Sequence, residues 1–169
     1  MNHLPERLDL YAAAEAGRAL RGRIKLASLE RVLPLLASRE GELEVQLELA
    51  RDEAGTHCLT GSVRGRVVLQ CQRCLEPVEY PLNVVFRLGL VHSEEQMRRL
   101  TDRYEPLLLT GEPANLAEVI TDEVLLALPI VCLHSDVSSC RTPATDDRLP
   151  ASAQRESPFA VLAQLKQKP

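Results

Sequence analysis

The sequence predicts an α+β fold: an antiparallel sheet around a long central hairpin, short helices packed on it, and a flexible C-terminal tail. Apolar and polar residues alternate through 42–49, 61–71 and 78–90, the period of half-buried strands. Residues 116–128 instead set Leu116, Val119, Ile120, Val124, Ala127 and Leu128 on one side at helical spacing. From 141 to 156 both periods give way to RTPATDDRLPASAQRE, a stretch with too little apolar content to pack. A chain of 169 residues accommodates one domain with tails. The division expected is a single α+β domain over 1–140, a flexible linker over 141–156 and a short amphipathic helix over 157–169.

Taken in order, Asp9 is placed to cap a short helix, LYAAAEA, that stops at Gly17. RALRGRIKL reads as a strand with Leu20, Ile24 and Leu26 on one face and Arg21, Arg23 and Lys25 on the other. Ser28 opens a second helix, LERVLPLLA, limited or kinked at Pro34. Leu43, Val45, Leu47 and Leu49 then face inward on one strand, with Glu42, Glu44 and Glu48 outward. The two strands that follow pair as a hairpin around CQRCLEP. Ser93 and Gln96 form a capping-box pattern for EEQMRRL, and LLLT adds a small strand after the Tyr104-Glu105-Pro106 break. Asn115 and Glu118 open the long helix, which turns Glu118, Asp122 and Glu123 away from its buried side and ends at Pro129. Ser157 and Pro158 begin the last amphipathic piece, FAVLAQLK.

Composition narrows the function. Aromatic residues make up 3% of the chain and Trp is absent, so the core is aliphatic and stacking on exposed bases is not the main binding mode. A formal charge of -4 argues against indiscriminate polyanion binding and leaves room for a local basic stripe. The N-terminus lacks the pattern of a signal peptide, and no apolar run approaches the roughly 18 residues of a membrane span. Five cysteines, an odd number, are then expected to be reduced thiols in the cytoplasm.

Cys71 and Cys74, two residues apart at the hairpin end, are the first candidate site. A structural zinc site draws four soft or borderline ligands, often as two pairs with one pair on a turn. Cys140 is the natural third ligand, with His134 or, alternatively, Cys132 as the fourth. A redox dithiol is the weaker reading, because low thiolate pKa values in such pairs come from helix N-termini and this pair lies between strands. Ordinary reduced thiols are the third. The second candidate is basic: Arg21, Arg23, Arg64, Arg66 and Arg73 can gather on one sheet face and suit a phosphate backbone. On charge alone, a solvated face neutralised by Glu42, Glu44 and Glu48 is the favoured reading. His3, His57 and His92 read as isolated surface residues. No nucleophile elbow, phosphate-binding glycine loop or zinc-protease motif is present, so no enzyme is expected.

Four stretches in order, LQCQRCLEPVEYPL, RYEPLLL, AEVITDEVLLALPIVCLH followed by Cys140, and SPFAVLAQLK, resemble the YceD family, the large ribosomal RNA subunit accumulation proteins. The resemblance runs across residues 9–166. It implies a non-enzymatic cytoplasmic factor supporting synthesis, processing or stability of 23S ribosomal RNA during large-subunit assembly. The partners implied are 23S rRNA or its precursor, and a ribosomal protein or another assembly factor; no membrane is involved, and no residue points to an oligomeric state. Family members carry cysteines matching Cys71, Cys74 and Cys140, which strengthens zinc as a cofactor. Direct rRNA binding ranks first among the readings. A protein-interaction module without RNA contact ranks close behind, and an oxidoreductase or nuclease comes third.

Overall fold

The computed structural model describes residues 4–109, 113–136 and 140. The expected linker and C-terminal helix, residues 141–169, lie outside the described residues. Arg7–Leu8 (β1) is followed by a helix over Leu10–Glu15 (α1), whose cap is Asp9 as expected: its carboxylate accepts the Ala12 N–H at 2.8 Å. Gly17 stops the helix in the left-handed region at φ 61°, where a side chain would be strained.

Four strands then run antiparallel in sequence order: Ala19–Lys25 (β2), Glu42–Arg51 (β3), His57–Gln70 (β4) and Pro77–Val91 (β5). β4 and β5 form the long central hairpin, in unbroken register from Cys58 opposite Gly89 to Gln70 opposite Pro77. The inward residues of β3, Leu43, Val45, Leu47 and Leu49, are all at most 1% exposed, so the alternation reports burial of one sheet face. α1 packs on that face over β3 and β4.

The expected antiparallel sheet holds through β2–β5, and one parallel strand joins its far edge. Glu94–Arg99 (α2) carries the chain back from the end of β5, and Glu105–Leu108 (β6) lies parallel to β5, Leu88 opposite Glu105. Half of the capping box expected at α2 is present: Ser93 Oγ accepts the Gln96 N–H, while Gln96 Oε1 reaches one residue further back and accepts the His92 N–H. β6 begins two residues before the LLLT stretch and includes Pro106. A proline is tolerated there because β6 is an edge strand: Leu109 donates to the Val91 carbonyl at 2.8 Å, so by alternation Pro106 lacks its N–H on the side facing away from β5.

The helix expected over LERVLPLLA is instead two single 3-10 turns, Leu26–Ser28 and Leu33–Leu35. Pro34 removes a donor, Leu29 has a non-helical backbone, and Ser28 Oγ donates back to the Lys25 carbonyl instead of capping. Leu29 and Val32 are nevertheless fully buried, which is what this segment contributes. Ala114–Asn115 (β7) pairs with β1 in a small second sheet that leads into Leu116–Ala127 (α3). Asn115 caps α3 by accepting the Ala117 N–H at 3.0 Å. α3 covers the inner face over β5 with Leu116, Val119, Ile120 and Val124 buried. Glu123 departs from expectation: it is 8% exposed, on the packed side of the helix and not away from it.

Candidate functional site

β4 ends at Gln70, and the chain reverses through Cys71-Gln72-Arg73-Cys74 before Pro77 begins β5. The reversal is closed by Leu75 N–H to the Cys71 carbonyl and Cys71 N–H to the Glu76 carbonyl, both at 2.9 Å. Leu75 takes φ 63°, a left-handed conformation that a non-glycine residue adopts only under constraint. The turn points the backbone N–H groups of Cys74 and Arg73, joined by that of His134, at the Cys71 sulfur; they lower its thiol pKa to about 5 against the opposing effect of burial.

The segment after α3 is held against this turn. Pro129 prevents the helix from continuing, and the freed carbonyls of Ile130 and Cys132 accept from the side chain and backbone of Gln72 at 3.0 and 2.9 Å. That docking delivers His134 and Cys140 to the two hairpin cysteines. Cys71 Sγ lies 3.8 Å from Cys140 Sγ, and His134 Nδ1 lies 3.5 Å from Cys74 Sγ and 3.4 Å from Cys140 Sγ. All four donor atoms fall within 4.8 Å of one another. Tetrahedral zinc, with bonds of about 2.3 Å to sulfur and 2.05 Å to nitrogen, sets S···S near 3.8 Å and S···N near 3.6 Å. The donor set therefore fits a tetrahedral zinc ion in both chemistry and spacing. Burial pushes the Cys140 thiol up to about 11, with Cys71 and Cys74 adding to the effect, so proton loss here calls for a compensating cation.

Cys132, the alternative fourth ligand, is buried in the main apolar core and is not one of the four grouped donors. Its contribution is the backbone carbonyl that holds Gln72. Cys58 is buried far along β4, and all five cysteines are free thiols.

The arginines are brought to one sheet face but not to one patch. Arg21 and Arg23 project from β2, and Arg64 and Arg66 from β4, with the glutamates of β3 between the two rows. Arg23 lies 3.8 Å from Glu42 and 3.7 Å from Glu44, while Arg64 donates to Asn83 and Arg66 lies 3.4 Å from Glu79. Arg73 sits apart, in the cysteine turn. The register thus interleaves charge, as expected from Glu42, Glu44 and Glu48.

Two groups escaped the sequence reading. His57 and His92 are not isolated: both rings pack against Tyr11, His92 stacked at 4.0 Å and His57 tilted at 4.9 Å, and His57 Nε2 is 2.6 Å from Glu15. This hydrogen bond lowers the Glu15 pKa, and no local pattern announces a contact between residues so far apart in the chain. The second group surrounds Glu123, whose pKa is raised to about 6 by burial and then by the neighbouring Glu105 and Asp122.

The YceD family, described as large ribosomal RNA subunit accumulation protein YceD, matches residues 59–166, a span that contains all four donors of the cluster. The chain is 35% identical over 146 residues to a Haemophilus influenzae protein named large ribosomal RNA subunit accumulation protein YceD, covering 83% of each. No solved structure matches the chain.

Proposed function

The chain belongs to the YceD family, and we propose that it acts in the cytoplasm as a non-enzymatic factor supporting synthesis, processing or stability of 23S ribosomal RNA in large-subunit assembly. The observation that carries this reading is the family match across residues 59–166, the span that builds both the central hairpin and the cysteine cluster. Among the described residues no helix is long and apolar enough to cross a membrane.

Zinc is the cofactor proposed, held by Cys71, Cys74, His134 and Cys140. Four protein ligands leave no coordination position for water or substrate, so the ion's contribution there is a cross-link between the hairpin end and the segment after α3. Contact with 23S rRNA or its precursor is assigned to the face bearing Arg21, Arg23, Arg64 and Arg66, with Arg73 at its end. Phosphates would compete with Glu42, Glu44 and Glu79 for those side chains, and exposed ion pairs of that kind yield at little cost. The interleaved charge also supports a second reading, in which this face meets a ribosomal protein or assembly factor and not RNA.

The two readings separate by salt. Direct contact predicts binding to 23S fragments that weakens steeply as salt rises, because each neutralised phosphate releases counterions. Replacing all five arginines with Glu should abolish that binding while circular dichroism stays unchanged. Binding that is absent at low salt, or indifferent to the substitutions, leaves protein docking as the function of this face. A 23S to 16S ratio that stays normal in cells lacking the protein would overturn the proposed role itself.

A further inference from the structure

The sheet has two edges, β2 on one side and β6 with the uncovered part of β5 on the other, and they are not equally protected. β2 is lined by Arg21, Arg23 and Lys25, charges of the kind that discourage another strand from pairing. β5 is covered by β6 only from Leu88 to Val91, because β6 starts at Glu105. Below Leu88 the same edge continues without a partner strand among the described residues. The Val91 carbonyl faces β6, where it accepts from Leu109, and the β4–β5 register contains no bulge. Alternation therefore aims the N–H and C=O of Asn83 and Val85 at the open side. Pro77 and Pro81 share that parity, so their missing donors interrupt nothing in the hairpin and blunt only the lower part of the edge. From Asn83 to Arg87 no proline guards it.

A cleft of about 530 Å³ is lined by Val84, Val85, Phe86 and Arg87 of β5, by the chain leading into β6 and by the last turns of α3. Its α3 wall carries Glu123 and Leu126, and Leu126 is 76% exposed. Glu105, paired with Leu88 and so on the same sheet face, adds a second carboxylate. On the opposite face Val85 is 66% exposed. Arg87 and Arg103 also border the cleft; Arg87 lies on the Val85 side, and Arg103 is over the Tyr104 ring.

We propose that the open edge of β5 at Asn83–Val85 is a docking site for a short extended segment of a basic partner protein, added to the sheet as a strand continuing the line of β6. Main-chain bonds to Asn83 and Val85 supply the pairing, and the two faces of the added strand supply the selectivity. Side chains turned toward α3 meet Glu123 and Glu105 over the apolar surface of Leu126, which suits Lys or Arg with the stem buried and the charge at the carboxylates. Those turned outward lie beside Val85, which suits a β-branched apolar residue. Burial, and after it the nearby Glu105 and Asp122, raise the Glu123 pKa to about 6, so carboxylates crowd the α3 side of the cleft. A second copy of this chain fits poorly. Antiparallel self-pairing centred on Val85 would drive the copy's Leu82 into the place of Glu105, and centring on Pro81 would oppose prolines that have no donor. The site is separate from the cysteine cluster and adjoins the arginine face at Asn83, whose side chain accepts from Arg64; its main-chain pairing stands or falls independently of the function proposed for them.

The test uses the full chain and a short blocked peptide of alternating valine and lysine. Addition of the peptide should slow amide hydrogen exchange at Asn83 and Val85, and the same peptide with glutamate for lysine should bind at least about tenfold more weakly. Val85→Pro removes the edge donor without touching the β4 ladder and should weaken the lysine peptide about tenfold. Glu123→Gln keeps the edge and should reduce the preference for lysine over glutamate, which keeps the proposal testable if the proline variant does not fold. Unchanged exchange at both amides, equal binding of the two peptides, or protection of the edge by self-association without peptide would overturn it.

Discussion

Glu123 carries a folded-state pKa of about 6 against an ordinary value of 4.5, and its sign can be worked through. A carboxyl that holds its proton more tightly in the folded state favours folding at low pH. The fold should therefore gain stability as pH falls from 7 through 6 toward 4.5, with no further gain from this group below that. Burial is the main cause, Glu105 of β6 and Asp122 of α3 add repulsion, and Arg87 and Arg103 bordering the cleft do not cancel it. Glu123→Gln should raise stability at pH 7 by about 1–2 kcal/mol, and the gain should vanish near pH 4.5; urea titrations at both pH values check it. Glu123 stands seven residues after Leu116 and three after Ile120, so the helical spacing contained its burial. The residue type masked it, because a charged side chain at an apolar position reads as a surface residue. The four donors are the reverse case: their types pointed to a candidate metal site, while the choice between His134 and Cys132 depended on where the chain goes after Pro129, which no spacing rule supplies.

Among the elements, the central hairpin was legible because one face of each strand is buried and the other is wet. The start of β4 was not. Residues 57–60 lack clean alternation because Cys58, on the otherwise solvated face, is covered by the chain around Tyr104, and Leu100 lies over Gly89 directly opposite. β6 and the β1–β7 pair are short pieces whose partners lie elsewhere in the sequence, so pairing and not propensity makes them strands. Within the hairpin, Gly61 faces Phe86 across the ladder on the inner side, and a Cβ at Gly61 would overlap the Phe86 ring. Phe86 is 5% exposed and has little room to yield. Gly61→Ala should cost about 1–3 kcal/mol despite the better strand propensity of alanine, read as a lower denaturant midpoint with unchanged slope. Pairing it with Phe86→Leu should recover part of that loss. A full loss in the double variant would mean that glycine is required there for backbone reasons.

For the molecule as a whole, the cysteine cluster joins parts of the chain that the sheet does not. Cys71 and Cys140 are 69 residues apart, and the segment from Pro129 onward reaches the hairpin end through the Gln72 hydrogen bonds and the four donors. A metal ion bound only by the folded arrangement of these four donors would add its binding free energy to folding as well as satisfy buried thiols, so its removal should act on global stability and not only on the turn. Protein purified without added metal should contain about one equivalent of zinc, and Cys74→Ser or His134→Ala should bring it below about a tenth. Both variants and the chelated protein should unfold at lower temperature than the untreated chain. Cys132→Ser is the deciding control: its sulfur belongs to the apolar core, so the variant should keep a full equivalent of zinc while losing some stability. Zinc lost with Cys132 and retained with His134→Ala would exchange the fourth ligand. Zinc below a tenth of an equivalent in the untreated protein would reduce the cluster to packed thiols, and the segment after α3 would then be held by the Gln72 hydrogen bonds and the burial of Cys132.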